Sequence, residues 1–333
     1  MVSNNTNQTT LPRVPGLGPF ELTMFLIFAI VLCAVVIFNN LLVIVAARIN
    51  PRLRRGTYSL FTSLAVSDFL VGAVSMPLWI YMNIVSATNM TKAVLQFYIV
   101  FDIFSAMASI LHLVSVSVDR YLAVSKPEKH RLVSSSSYRN TIGCLWIFAA
   151  LISCLYPIQH GFKAYYTILL FAFGFIIPLI VISSMYIKIF RVSHKLIAPL
   201  ERRQSKEDLK RHLRKEHQLA RTGALVTGLF SISWIPFFTV SVVATFCRSC
   251  LHPVPGFDFR LTAFVKFMHY GNSAMNTFIY AFLNMEMKRT FIRLFKGLTT
   301  ELCADNIMES YRRTRRMRQV RINMNTRRGA SKE

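Results

Sequence analysis

The chain has 333 residues, of which 53% are hydrophobic and 16% charged, with a mean hydropathy of +0.42, a balance too apolar for an ordinary water-soluble fold. Its formal net charge of +24 would suit a nucleic-acid binder, but the basic residues fall in blocks between long apolar stretches. That pattern fits a membrane protein and argues against nucleic acid as the partner.

Residues 1–21 read as an extracellular segment. They lack the basic-then-apolar pattern of a cleavable signal, so the first apolar span is expected to direct insertion. Asn4 and Asn7 open N-x-Thr sequons there, which are candidate glycosylation sites on an outer face. Seven windows of about 20 weakly charged residues follow, at roughly 22–47, 57–82, 93–125, 141–158, 164–190, 217–246 and 260–282. With the N-terminus outside, the segments 48–56, 120–140, 188–221 and 285–333 lie at the cytoplasmic side, and they hold 33 of the 39 Lys and Arg. This is the positive-inside asymmetry. A third sequon, at Asn89, then falls outside, as does the pair Cys247 and Cys250 in "CRSC", where a local disulfide is expected in an oxidising compartment.

The fold expected is an all-α membrane protein, a seven-transmembrane helix bundle with a short amphipathic eighth helix, over residues 22–298. Residues 191–216 are charged enough for spans five and six to extend as helices beyond the membrane. After the last span, Met287, Phe291 and Phe295 recur at i, i+4 and i+8 among Lys and Arg, which suits a helix lying on anionic inner-leaflet lipid. The basic tail 299–333 reads as disordered and attracted to the same lipid. The sequence contains no internal repeat, no phosphate-binding glycine loop and no catalytic constellation, so no enzyme is expected, nor any cofactor beyond an allosteric sodium ion.

Ionisable groups inside spans are costly and mark candidate sites. Asp102 and Arg120 stand 18 residues apart in span three, five turns along one face, with Ser109 on the same face and Asp68 in span two. Span seven carries Lys266, Tyr270, Ser273, Asn276 and Tyr280 at steps of three or four. Such a stripe has to look into the bundle. Pro236 in "FSISWIPFF" removes a backbone hydrogen bond from span six and makes it a ready pivot.

In order along the chain, "NNLLVIVAA" with Asn40, "LAVSD" with Asp68, "DRYLAVSKP" with Arg120 and Pro127, Trp146, Pro178, Tyr186, "FSISWIPFF" with Phe230, Trp234 and Pro236, and "NTFIY" resemble the rhodopsin-like (class A) G-protein-coupled receptors. The resemblance implies a receptor at the plasma membrane, N-terminus outside, that activates heterotrimeric G proteins by outward movement of span six, with arrestin and a receptor kinase as further partners. It implies that Asp119 and Glu216 hold Arg120 at rest. It also implies a sodium pocket of Asp68, Ser109, Asn272 and Ser273, a packing triad of Pro178, Ile110 and Phe230, and an inner polar network of Asn276, Tyr280 and Tyr186.

Asp102 and Tyr270 match the ammonium-binding pair of the biogenic-amine group, with Phe237, Phe238 and Trp234 as an aromatic wall. Lys266, one turn from Tyr270, either pairs with Asp102, which favours a zwitterionic ligand, or snorkels away and leaves Asp102 to an amine. The ligand is thus expected to be small and amine-like or zwitterionic. A lipid or peptide ligand, or a receptor-like protein that does not signal, is the alternative. The chain departs from the family's pattern at Asn39, Ser233 and Thr277, and it lacks the cysteines for the usual loop disulfide.

Overall fold

The computed structural model describes residues 18–84, 91–197, 206–251, 257–283 and 287–294, with side chains undescribed chiefly over 195–197, 206–224 and 278–283. The chain divides into two compact units, Met1–Leu283 and Asn284–Glu333. The first holds seven long helices. These are α1 (Pro19–Ile49), α2 (Thr57–Ile84), α3 (Lys92–Ser125), α4 (Ser135–Cys154), α5 (Lys163 to Ile197), α6 (Lys206–Phe246) and α7 (Phe257–Leu283). In the second unit residues 287–294 are helical. Phe295, Asn4, Asn7, Asn89 and the tail lie outside the described residues.

Local chemistry starts the helices where the sequence breaks. Pro19 occupies the first turn of α1, and the Gly18 N–H donates to Glu21 Oε2 at 3.3 Å. The Thr91 hydroxyl accepts from the Val94 N–H at the start of α3, and Ser134 accepts from the Ser137 N–H at the start of α4. These side chains satisfy donors that a helix N-terminus leaves open. Two helices carry a π-helical turn, Val71–Ser75 in α2 and Ala172–Ile176 in α5. The extensions expected beyond spans five and six are present, since α5 runs to Ile197 and α6 begins at Lys206.

Six of the seven helices are long and apolar enough to cross a membrane. The seventh, α7, carries too many polar residues for that measure. Packing runs as a closed ring, α1–α2–α3–α5–α6–α7–α1, with α4 against α2 and α3. The window of α3 is 56% buried and that of α4 17%, which makes α3 the axis and α4 a lipid-facing flank. Large apolar side chains such as Phe28, Ile147, Leu151 and Ile180 face outward. In lipid this is the low-energy arrangement, because hydrocarbon leaves no hydrophobic drive between helices and close packing and polar contacts have to hold them.

The close approach of α1 and α2 depends on Gly72. A Cβ there would sit 2.9 Å from both Ile37 Cγ1 and Val36 Cγ1. Gly72→Ala is therefore expected to destabilise the bundle by about 1–3 kcal/mol through overpacking. Gly143→Ala, where a Cβ meets nothing within 4 Å, serves as the control. Folded monomer remaining after heating in detergent, read by size exclusion, should fall for the first variant and not for the second.

Candidate functional site

Among the described residues, three carboxylates lie inside the bundle, one toward each end of α3 and one between. Near one end, a cavity of about 630 Å³, within the size range of small-molecule sites, opens among α2, α3, α5, α6 and α7. Asp102 and Lys266 both line it, and they form an ion pair of 2.5 Å, Lys266 Nζ to Asp102 Oδ2, with side-chain exposures of 7% and 11%. The Tyr270 hydroxyl donates to the other carboxylate oxygen at 3.1 Å and meets the Tyr98 hydroxyl at 3.2 Å. Three rings surround the ammonium, those of Tyr98, Phe237 and Tyr270, with Nζ 5.2–5.4 Å from their centroids. The lysine thus does not snorkel away. It closes a neutral, aromatic-walled pair inside the cavity.

Below the pair the wall is aromatic. Trp234 lies 5.7 Å from Phe238 and 5.9 Å from Phe237, and the His269 ring sits 4.4 Å from that of Trp234. Trp234 Nε1 and His269 Nδ1 are buried with no hydrogen-bond partner among the described residues. Sequence reasoning missed His269, although it falls three residues after Lys266 on the polar stripe of α7. On the α5 side the cavity is closed by packing, since a Cβ on Gly174 would meet Phe238 Cζ at 2.7 Å.

At mid-depth Asp68 is fully buried and receives three hydrogen bonds. Ser109 and Ser273 donate to Oδ1, each at 2.7 Å, and Asn276 donates to Oδ2 at 2.8 Å. Asn272 is buried, but no hydrogen bond joins it to Asp68 among the described residues. A shift of one helical turn along α7 gives the place expected for Asn272 to Asn276, a residue expected in the inner network. Beside this cluster Asn40 donates to the Val36 and Ser273 carbonyls and accepts from the Thr277 hydroxyl at 3.1 Å. Asn39 reaches the Ala274 carbonyl. Two positions where the chain departs from the family pattern, Asn39 and Thr277, thus both tie α1 to α7. Between α2, α3 and α4, Trp146 Nε1 donates to Ser63 Oγ, which lies 2.8 Å from His112 Nε2, and His112 Nδ1 meets the Ala108 carbonyl. This relay was also missed, because its members come from three separate spans.

Toward the other end of α3, Asp119 is held by Thr57 at 2.6 Å, Tyr138 at 2.7 Å and His130 at 3.0 Å. No ion pair joins it to Arg120 among the described residues, contrary to the expectation of an Asp119 lock. The guanidinium lies over the Phe61 ring, 5.2 Å from its centroid. Adjacent residues on a helix point about 100° apart, so Asp119 reaches Thr57 on α2 and Tyr138 on α4 while Arg120 lies against Phe61, one turn further along α2. The side chains of Glu216 and Tyr280 lie outside the described residues. Ile110 and Phe230 share one core with Phe175, Trp234 and Phe238, against which Tyr186 packs, and Pro178 is buried on α5. Cys247 and Cys250 form a disulfide.

A family model described as "7 transmembrane receptor (rhodopsin family)" matches residues 39–280. The chain is 30% identical over 321 residues to a D(1)-like dopamine receptor of Oreochromis mossambicus, covering 85% of this chain and 81% of the relative. It is 30% identical over 322 residues to octopamine receptor beta-1R of Drosophila melanogaster, covering 82% and 61%. It is 26% identical over 317 residues to the histamine H2 receptor of Canis lupus familiaris, covering 89% and 85%.

The buried pair gives a ligand-independent prediction. Asp102→Asn or Lys266→Met alone leaves one buried charge uncompensated and should cost about 3–5 kcal/mol, whereas the double variant should recover most of that loss. Thermal inactivation of the four proteins in detergent tests it. Additive losses in the double variant would mean that the two charges do not support each other.

Proposed function

The chain belongs to the rhodopsin family of seven-transmembrane receptors, and on that premise we propose that it resides in the plasma membrane with its N-terminus outside. There it binds a small ligand bearing an ammonium group on Asp102 and activates heterotrimeric G proteins at the Arg120 end. One observation carries the ligand reading. The cavity already stabilises a primary ammonium, that of Lys266, with a carboxylate on one side and three aromatic faces around it. These are the two attractions by which proteins recognise organic cations. The similarity to receptors named for dopamine, octopamine and histamine, all small amines, supports the same reading.

Binding is coupled to signalling through Trp234. It lines the cavity and belongs to the core containing Phe230, Ile110 and Ile182, so displacement of its ring repacks the contact of α6 with α3 and α5. With Pro236 two residues further on, α6 can swing outward about that point. Arg120, held at rest by a cation–π contact, is then free to take polar partners on a G protein. Arrestin and a receptor kinase would use the same end, and the 13 Lys and Arg after residue 284 would hold the tail to anionic lipid.

Asp68 is the candidate sodium site. It is a formal anion at mid-depth with hydroxyl and amide neighbours, and no basic side chain answers it among the described residues. Ser109 and Ser273 can rotate to present oxygen to a cation, which would favour the resting packing of α2, α3 and α7.

Arg120→Ala should reduce G-protein activation at least about tenfold at equal surface expression, and Asp102→Asn should abolish the response to amines; both are read by nucleotide exchange on added G protein. Full activation by the Arg120 variant would leave a receptor-like protein that does not use this switch. Asp68→Asn should reach the cell surface and lose the sodium dependence of signalling. Signalling that stays sodium-dependent in that variant would place the ion elsewhere.

A further inference from the structure

Asp102 and Lys266 neutralise each other inside the bundle, so the charge on the incoming ligand decides what the cavity can accept. A simple amine adds a cation to a neutral pair and leaves one net charge buried in a medium of low dielectric. A zwitterion adds none. Its ammonium can replace that of Lys266 on Asp102, and its carboxylate can replace Asp102 on Lys266.

Two further groups await an acceptor. The indole Nε1–H of Trp234 is a donor only, and it is buried without a partner among the described residues, as is His269 Nδ1. Both residues are 2% exposed, their rings are 4.4 Å apart, and both line the same cavity as the ion pair. An orphaned buried donor is costly unless something fills it. With the imidazole proton on Nδ1, these two N–H groups and Lys266 Nζ are three donors on residues that line one cavity, a set suited to a carboxylate. Among the described polar residues of α5 that line the cavity, Lys163 is exposed and Tyr166 donates to the Ile152 carbonyl. Thr167 there is already bonded to Thr245 at 3.1 Å, and the Gly174 surface is filled by Phe238.

We propose that the cavity selects a zwitterion, an aromatic α-amino acid or close analogue, with its ammonium on Asp102 and Tyr270 and its carboxylate on Lys266, His269 and Trp234. This rests on the reading that Asp102 anchors an ammonium group. His269 and Trp234 become specificity-determining residues, and the aromatic wall of Phe237 and Phe238 takes the ligand's ring.

The test uses purified full-length receptor in buffer free of amino acids, with thermal stabilisation as the readout. Four matched pairs are compared, each differing by one carboxylate: phenylalanine and 2-phenylethylamine, tyrosine and tyramine, tryptophan and tryptamine, histidine and histamine. 3-Phenylpropanoate, which lacks the ammonium, is added. The amino acid of at least one pair should act at about tenfold lower concentration than its amine, a difference worth about 1.4 kcal/mol. Lys266→Met should reverse that order. His269→Leu should weaken the amino acid about tenfold without shifting the amine, and His269→Gln, which keeps a donor, should restore it. Ligand-free stability of each variant separates misfolding from lost recognition. Amines that outperform their amino acids, in wild type and Lys266→Met alike, would overturn the zwitterion inference and leave the amine reading standing. Stabilisation by 3-phenylpropanoate that survives Asp102→Asn would overturn the ammonium anchor and the inference with it. So would silence of all nine compounds.

Discussion

Water is absent at hydrocarbon depth, so a carboxylate there must find its partners on another helix, and three such carboxylates among the described residues tie this bundle together. Asp102 joins α3 to α7 through Lys266 and Tyr270. Asp68 joins α2 to α3 through Ser109 and to α7 through Ser273 and Asn276. Asp119 joins α3 to α2 through Thr57 and to α4 through Tyr138. Asn40 adds α1 to α7, and the Trp146–Ser63–His112 relay adds a second tie among α2, α3 and α4. Interhelical hydrogen bonds in membranes are worth about 0.6–2 kcal/mol each. Several such bonds make α1 to α4 and α7 one polar-stitched block.

The two remaining helices are held differently. α5 is bonded to α4 through the Tyr166 hydroxyl and the Ile152 carbonyl, and to α6 through Thr167 and Thr245. Among the described residues α6 has no other side-chain hydrogen bond to a neighbouring helix. Ser231, Ser241 and Thr245 bond back to their own helix, and Trp234 Nε1 bonds to nothing. What holds the described side chains of α6 is the aromatic core of Phe175, Phe230, Trp234 and Phe238. Dispersion and ring contacts are short-ranged but tolerant of sliding, whereas a bonded carboxylate is not. Among the described residues, the helix expected to move is thus the one with a single polar tie to its neighbours, that to α5.

The spans were legible because lipid imposes runs of about 20 residues with almost no charge, α7 among them, and the stripe at helical spacing on α7 marked the face that looks into the bundle. That same stripe brought Asp102, Lys266 and Tyr270 together. Spacing could not decide whether Lys266 turns inward or outward, since a four-carbon stem reaches both ways; the aromatic cage around Nζ decides it. Nor could it separate Asn272 from Asn276 as the donor to Asp68, because the two are about one turn apart and helix rotation selects between them. The partners of Asp119 were out of reach for another reason. Thr57 is 62 residues away, and His130 sits in a short helix, Pro127–Arg131, whose position no periodicity encodes.

The unpartnered Trp234 links this architecture to the proposed ligand. Asp102 and Lys266 both belong to the stitched block, so a ligand that engages them alone binds without addressing α6. A ligand whose carboxylate also accepts from Trp234 Nε1 adds a polar bond between block and moving helix at a place where the described residues make none. Whichever position of α6 aligns that donor with the bound carboxylate is favoured by the strength of the new bond. A ligand shifts a two-state equilibrium only by its differential affinity for the two states, and in this bundle the orphaned indole N–H is where such a difference can arise.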